Sequence, residues 1–322
     1  MAAYRRIQDI DHEIGAEGSL ALGVTSADVR LTATAGPTAH VRATFEIGAN
    51  SDAEADELFV SLKLRVHAGS GALAVDEPDG HRSLGGAIGR LLGGRSAELV
   101  SVEVEAPAGC RLEVRVVSGD VQASGFRGSQ RIQSVSGDLR LADAGGDLDI
   151  DSVSGDVSLR AVDAVSLKMN NVSGDLSAQA PAFSHLRVQS VSGDVSVDGT
   201  LDATSPHAVD TVSGDFRLAT RSGMTVSVRG MSTDVHSALP HRLEGSADRR
   251  RLVVGDGAAA VAFSSMSGDL SVTRSRQQPA ATEAAASAPA TPARDPRTEI
   301  LSALERGEID VDEAMRRLGD GG

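Results

Sequence analysis

Aspartate is the residue in this chain whose spacing could do chemistry. It closes a triplet that returns as Ser118-Gly119-Asp120, Ser136-Gly137-Asp138, Ser154-Gly155-Asp156, Ser173-Gly174-Asp175, Ser192-Gly193-Asp194, Ser213-Gly214-Asp215 and Ser267-Gly268-Asp269. Several carboxylates and carbonyls on one loop make a calcium site. Carboxylates clustered irregularly with Arg or Lys would suit an enzyme on acidic polysaccharide. Neither pattern is met. The calcium-binding nonapeptide solenoid repeats far more often, with paired glycines, and here aspartate is placed by repeat register. Ser and Asp more simply close their own turns by bonding nearby backbone. A stacked column of like charge still needs compensation from backbone N–H groups, solvent or a cation.

Other groups are weighed the same way. Gly85-Gly86, Gly89 and Gly93-Gly94-Arg95-Ser96 suggest a phosphate loop but lack the lysine and the full spacing of the Walker pattern. A flexible insertion fits better, with Leu84, Ile88, Leu91 and Leu92 at helical spacing as a stripe that could dock a partner. Arg249-Arg250-Arg251 could hold an acidic group, but reads as part of a solvated loop near 237–262. The one cysteine, Cys110, reads as a small buried hydrophobe. The eight histidines show no catalytic order with Asp and Ser. No residue is put forward as catalytic, cofactor-binding or metal-ligating, and no cofactor is implied.

The elements that must position the aspartates follow from the period. Steps between the first six serines are 18, 18, 19, 19 and 21 residues; a worn copy, Ser232-Thr233-Asp234, comes 19 later and the last intact copy 35 after that. A fixed period near twenty marks units that stack on their neighbours. Apolar columns align with the serine. Val117, Val135, Val153, Val172, Val191, Val212 and Met266 precede it; Val121, Leu139, Val157, Leu176, Val195, Phe216 and Leu270 follow three later. These positions read as one face of a strand, with Ser and Asp on the other. A second column four before the serine, Val114, Ile132, Ile150, Met169, Val188 and Val209, is out of phase. The chain is therefore expected to turn between the two columns, at polar pairs such as Gln133-Ser134 and Asp151-Ser152. Two short strands, a corner and a polar loop such as residues 142–146 make one rung, and only the stack is stable. The glycine is either an inward position without room for a side chain or a residue at positive φ.

The expected fold is all-β: a single-stranded β-solenoid of 18–21-residue rungs, followed by a small helical hairpin. Residues 1–77 read as an irregular β portion and cap, with a rung-like stretch at 20–31, alternating segments at 41–47, 60–66 and 72–75, and Glu54 to Leu58 as a turn of helix or loop. Residues 78–97 are the Gly-rich insertion, 98–273 the solenoid, 274–294 an Ala/Pro linker without a core. In 295–322, Asp295-Pro296 and Gly307 bound one helix and the Asp310/Glu313 capping box opens another. Two helices that short bury too little to stand alone, so 295–322 is expected to self-associate or to recruit a protein partner. A net charge of −14 argues against nucleic acid and anionic membrane as main partners, and 2% aromatics leave no platform for stacking bases. No run approaches eighteen apolar residues and the N-terminus has no apolar signal core, so a cytoplasmic protein without direct membrane insertion is expected, at most attached peripherally to the envelope through a partner.

The Val-Ser-Gly-Asp-Val/Leu rungs, preceded by Val102-x-Val104-x-Ala106-Pro107-x-Gly109, resemble the bacterial "putative adhesin" β-strand-repeat family of unknown function over roughly residues 15–273. Residues 300–318 resemble the SHOCT-like helical hairpins that end many bacterial proteins. The resemblance implies a β-solenoid, no known catalytic residues, and roles in envelope stress or assembly. Together these readings favour a non-enzymatic scaffold or interaction protein. An envelope-associated adhesin or stress protein is the alternative, and a β-helix enzyme on acidic polysaccharide the third.

Overall fold

Alternation of apolar and polar residues around a twenty-residue period does build rungs. The computed structural model describes residues 2–78, 97–246 and 249–276, in which strands dominate and the one helix is Asp52–Leu62. The chain divides into two units, Met1–Pro279 and Ala280–Gly322. The second unit, with the expected helical hairpin, lies outside the described residues, as do almost all of the linker and of the Gly-rich insertion with its apolar stripe.

In the central stack each rung lies parallel and in register on the next. Ser118 pairs with Ser136, Ser136 with Ser154, Ser154 with Ser173, Ser173 with Ser192 and Ser192 with Ser213. Strands such as Leu139–Ser154, Val157–Ser173 and Leu176–Ser192 run nearly the whole length of a rung. The stretch expected to be a loop, 142–146, keeps pairing with the rung above through register shifts, with Asp143 and Gly146 at positive φ. The interior is a file of aliphatic side chains, Leu112, Ile132, Ile150, Leu167 and Val188 among them, closed towards the C-terminal end by Phe216 and Phe263 at 5.5 Å between ring centres.

The turn between the two apolar columns is absent. The strand passes straight through that region and breaks at the glycine and aspartate instead. Consequently Ser134, Ser152, Asn171, Ser190, Thr211 and Ser265 point inward and are buried, while the preceding-valine column points out. The expected shared face is therefore wrong: of its two columns only the one three after the serine, Val121 to Leu270, joins the interior. The physical reason is parity. Positions four and two before the serine share the inner face of an unbroken strand, which sends positions three and one outward.

Stacking order departs from chain order at both ends. Rung 259–274 slots between rung 207–220 and rung 224–237, so Ser267 pairs with both Ser213 and Ser232. At the other end, Ser19–Ser26 and Asp28–Thr34 lie between the strands Ala72–Asp76 and Ala97–Pro107 on one side and the Ser118 rung on the other. Each outermost rung is then covered by antiparallel strands: Thr38–Ala49, Ala2–Glu13 and Arg65–Gly69 at one end, Arg249–Val254 and His241–Ser246 at the other. Parallel rungs left bare would offer unpaired edges to any other chain.

The segment 60–66, expected as a strand, is split between the helix and Arg65–Gly69. The helix is set by a capping pair that the sequence carries: Ser51 Oγ accepts from Glu54 N at 3.2 Å, and the Glu54 carboxylate accepts from Asn50 N at 2.9 Å. It is held by Arg6 to Asp52 and Asp56 at 2.6 and 2.7 Å and by Phe59 edge-on to Phe45.

Two outcomes follow from this packing. At Gly155 φ is +118° and a Cβ would lie 2.2 Å from the Gly137 carbonyl oxygen, whereas one on Gly36 meets nothing within 4 Å. Gly155→Ala should cost about 3–5 kcal/mol in urea unfolding, and Gly36→Ala less than about 0.5. His207 is buried, with one ring nitrogen at 2.9 Å from the Asp202 carbonyl and the other unpartnered, and burial holds its pKa below the ordinary value. Above about pH 6.5 the ring is neutral folded and unfolded and stability is full. Below that only the unfolded chain takes up the proton, so stability falls with pH by up to about 1.4 kcal/mol per unit. Melting curves between pH 7.5 and 5 should show that slope flattened in His207→Leu.

Candidate functional site

The Ser-Gly-Asp corner is where one rung is fastened to the next. From the first to the last rung, an aspartate Oδ1 accepts the backbone N–H of the aspartate on the neighbouring rung. Asp28 accepts from Asp120 at 3.1 Å, Asp120 from Asp138 at 2.9 Å, Asp138 from Asp156 at 3.1 Å and Asp156 from Asp175 at 2.9 Å. The file continues through Asp175 to Asp194 at 2.8 Å, Asp194 to Asp215 at 3.0 Å, Asp215 to Asp269 at 3.0 Å and Asp269 to Asp234 at 2.8 Å. The following residue returns to the regular ladder, as when Leu139 N donates to Asp156 O at 2.9 Å. The corner leaves one amide per rung without a main-chain acceptor, and the carboxylate supplies it, much as Asp caps a helix.

The compensation for stacked charge is thus backbone, with arginine added at two places. Arg140 reaches Asp138 at 2.9 Å and Asp120 at 3.5 Å; Arg217 reaches Asp194 at 2.7 Å and Asp215 at 3.2 Å. The amide of Asp215, then Arg217, holds the Asp194 carboxyl below the usual carboxylate range. The aspartates stand in file at one rung, about 4.8 Å, per step, not in a shell around a common point. Among the described residues no group of three or more His, Cys, Asp or Glu converges as a metal site would require. A groove of about 400 Å³ on the N-terminal sheet is lined by Asp9, Asp11, His40, Arg42, Glu103 and Glu105, but Asp9 is taken by Arg42 at 2.7 Å and Asp11 by His40 at 2.6 Å.

The glycine turns out to meet both alternatives posed by the sequence. Its φ is between +118° and +139° from Gly119 to Gly214, and at each of these the missing Cβ would fall 2.1–2.2 Å from a carbonyl oxygen of the adjacent rung. Carboxylate bond and glycine occur together from Gly119 to Gly214, while the end corners carry Ala27 and Thr233 in the glycine's place and still make the bond, at 3.1 and 2.8 Å.

Beside this corner lies the feature that the sequence misplaced. Val117, Val135, Val153, Val172, Val191 and Val212 are each 44–48% exposed, and Met266 and Met231 continue the line at 58% and 87%. Next to them a groove of about 590 Å³ runs along the stack, its polar wall made by Arg115, Gln133, Asp151 and Asn170. Those four are joined in series: Arg115 to Gln133 at 3.1 Å, Gln133 to Asp151 at 3.3 Å, and Asn170 to Asp151 at 2.7 Å. The signal available was parity, counted from the inner column four residues before the serine.

The remaining candidates resolve simply. Cys110 is fully buried, and that burial pushes its thiol up to about 11, so it packs rather than reacts. Arg249-Arg250-Arg251 is not a loop but the start of the strand Arg249–Val254, whose inner residues Leu252 and Val254 are buried; alternation exposes Arg249 and Arg251 on one side. No helix among the described residues is long and apolar enough to cross a membrane.

A parallel β stack with aspartate-fastened corners and antiparallel covers defines a repeat protein of the solenoid class. The profile of the Toastrack DUF4097 family matches residues 19–273, and the chain belongs to that family. No curated protein matches it. Among solved structures, a "putative adhesin" from Bacteroides fragilis is similar at 13% identity, covering 83% of this chain and 97% of that one, with a TM-score of 0.37. A "putative cell adhesion protein" from Clostridium sporogenes is similar at 8% identity, covering 85% and 100%, with a TM-score of 0.26. A "putative lipid binding protein" from Parabacteroides distasonis matches at 12% identity, 83% and 97% coverage, with a TM-score of 0.25. Likeness of this degree carries no function across.

If the carboxylate serves the neighbouring amide, the two obvious substitutions separate. Asp156→Ala strands the Asp175 amide and should cost about 1–2 kcal/mol. Asp156→Asn keeps the acceptor and should cost less than half as much. Urea unfolding of the two variants checks this, and equal losses would mean that charge rather than the acceptor matters.

Proposed function

We propose that this protein is a non-enzymatic scaffold: a stiff β-solenoid that presents flat strand faces, with residues 295–322 as the module that self-associates or recruits a protein partner. The supporting observation is how the conspicuous polar residues are used. The aspartate Oδ1 atoms are committed rung after rung to neighbouring amides, which is the work of fastening a stack and not of turning over a substrate. Ile300, Leu301 and Leu304 before Gly307, and Ile309, Val311 and Leu318 after it, supply the apolar faces of the two expected helices and support the assembly role of the tail. On this reading the scaffold works in the cytoplasm, and reaches the envelope only through whatever the tail recruits.

Light scattering of the full chain and of a chain ending at Pro279 tests the proposal. The full chain should form a larger assembly than the shortened one, or, at equal mass, residues 295–322 used as bait should retain a partner that the bait with Leu301 and Leu304 changed to Ser does not. Equal masses together with no partner dependent on those leucines would refute the tail's role.

A further inference from the structure

Among the described residues the line of outward valines forms an apolar column on a surface whose neighbouring columns are polar. It continues over eight adjacent rungs, from Val117 to Met266 and Met231, because the displaced order of the last rungs keeps the serines in register. At about 4.8 Å per rung it is about 34 Å long. Half-exposed valines over that length offer on the order of several hundred Å² of apolar surface, beyond what scattered surface residues account for and approaching the ~800 Å² per partner of a standard interface.

The period restricts what can cover it. A helix laid along the line has turns about 5.4 Å apart, so it slips by about 4 Å over seven steps, nearly a whole rung. An extended strand presents same-face side chains about 6.6–6.8 Å apart, which is further out of step. A column spaced by one rung stays in register throughout, and this chain carries one. Neighbouring chemistry agrees. On one side of the valines stand the exposed, neutral serines of the triplets; on the other, Arg115, Gln133, Asp151 and Asn170 are hydrogen-bonded to one another. The Ser134 and Ser152 hydroxyls at the groove's floor are already buried without a partner, so covering the groove strands few further polar atoms.

We propose that the valine column is a self-recognition surface, on which a second copy of this chain docks with its own valines in the groove beside the first's, related by a two-fold axis as in other isologous pairs. This contact lies within residues 115–267 and does not depend on the tail. Removing residues 280–322 and altering the column are therefore separable changes in mass.

The test uses the full chain. Sedimentation and light scattering of the protein with Val135→Thr, Val153→Thr and Val172→Thr, which keep shape and β-branching, should show the assembly mass halved and the dissociation constant raised by about tenfold or more, with circular dichroism and melting unchanged. In parallel, Val135→Cys, Val153→Cys, Val172→Cys and Val191→Cys are made singly; Cys110 is buried, so the new thiol is the accessible one. At least one position near the axis should crosslink two copies on mild oxidation, while Ser158→Cys, outward on the other sheet, should not. A full chain that is monomeric at ~100 µM, a concentration at which a micromolar interface is filled, overturns the proposal. So does an assembly whose mass the threonine variant leaves unchanged and whose column cysteines do not crosslink.

Discussion

The structure depends on one close approach. At the corners from Gly119 to Gly214 the chain comes so near the adjacent rung that no Cβ fits, and at that place an amide loses its main-chain acceptor. Glycine meets the first demand and the carboxylate of the next residue meets the second. Loss of either weakens the hold on the rung separation that the rest of the sheet needs for its hydrogen bonds. The aliphatic interior supplies most of the driving force, but an aliphatic file is slippery along its own axis. The corner fixes the register.

This division of labour explains why a chain with no Trp, one Tyr and few Phe can order some 250 residues. Interior positions need only be aliphatic and of similar volume, because each packs on copies of itself above and below. Larger rings are kept for irregular places: Phe126 and Phe183 near the register shifts between rungs, Phe216 and Phe263 where the stacking order changes, and Phe45 under the helix.

The period and the all-β stack were legible in the sequence because they repeat, and repetition turns weak preferences into columns. The aspartate was legible only in part: backbone N–H groups do compensate its charge, but the bond runs to the neighbouring rung, 18 residues away at Asp120 and Asp138, instead of closing its own turn. The outward valine is hidden in the sequence because polar Gln133 and Ser134, between Ile132 and Val135, imitate a turn. In the fold Ser134 is an inward residue of an unbroken strand. The helix at Asp52–Leu62 was only half seen, although Ser51 and Glu54 spell its cap. The order of the last rungs was not legible at all. Nothing local distinguishes a strand that joins the end of a stack from one that enters between two others, since the choice is settled by partners far away in the chain.

That interleaving has a consequence for how such a chain can be made and can change. The outermost rung at the C-terminal end, 224–237, is synthesised before the rung 259–274 that separates it from the body, and the N-terminal rung 19–34 likewise waits for partners on both sides that are still to come. Growth by simple extension is thereby closed off: a rung added after residue 274 would find its neighbours already occupied on both faces. Gain or loss of rungs is confined to the middle of the stack, between about residues 110 and 220, where chain order and spatial order agree. The two ends act as bookends written into the topology, and the length of the protein between them is the quantity left free to drift.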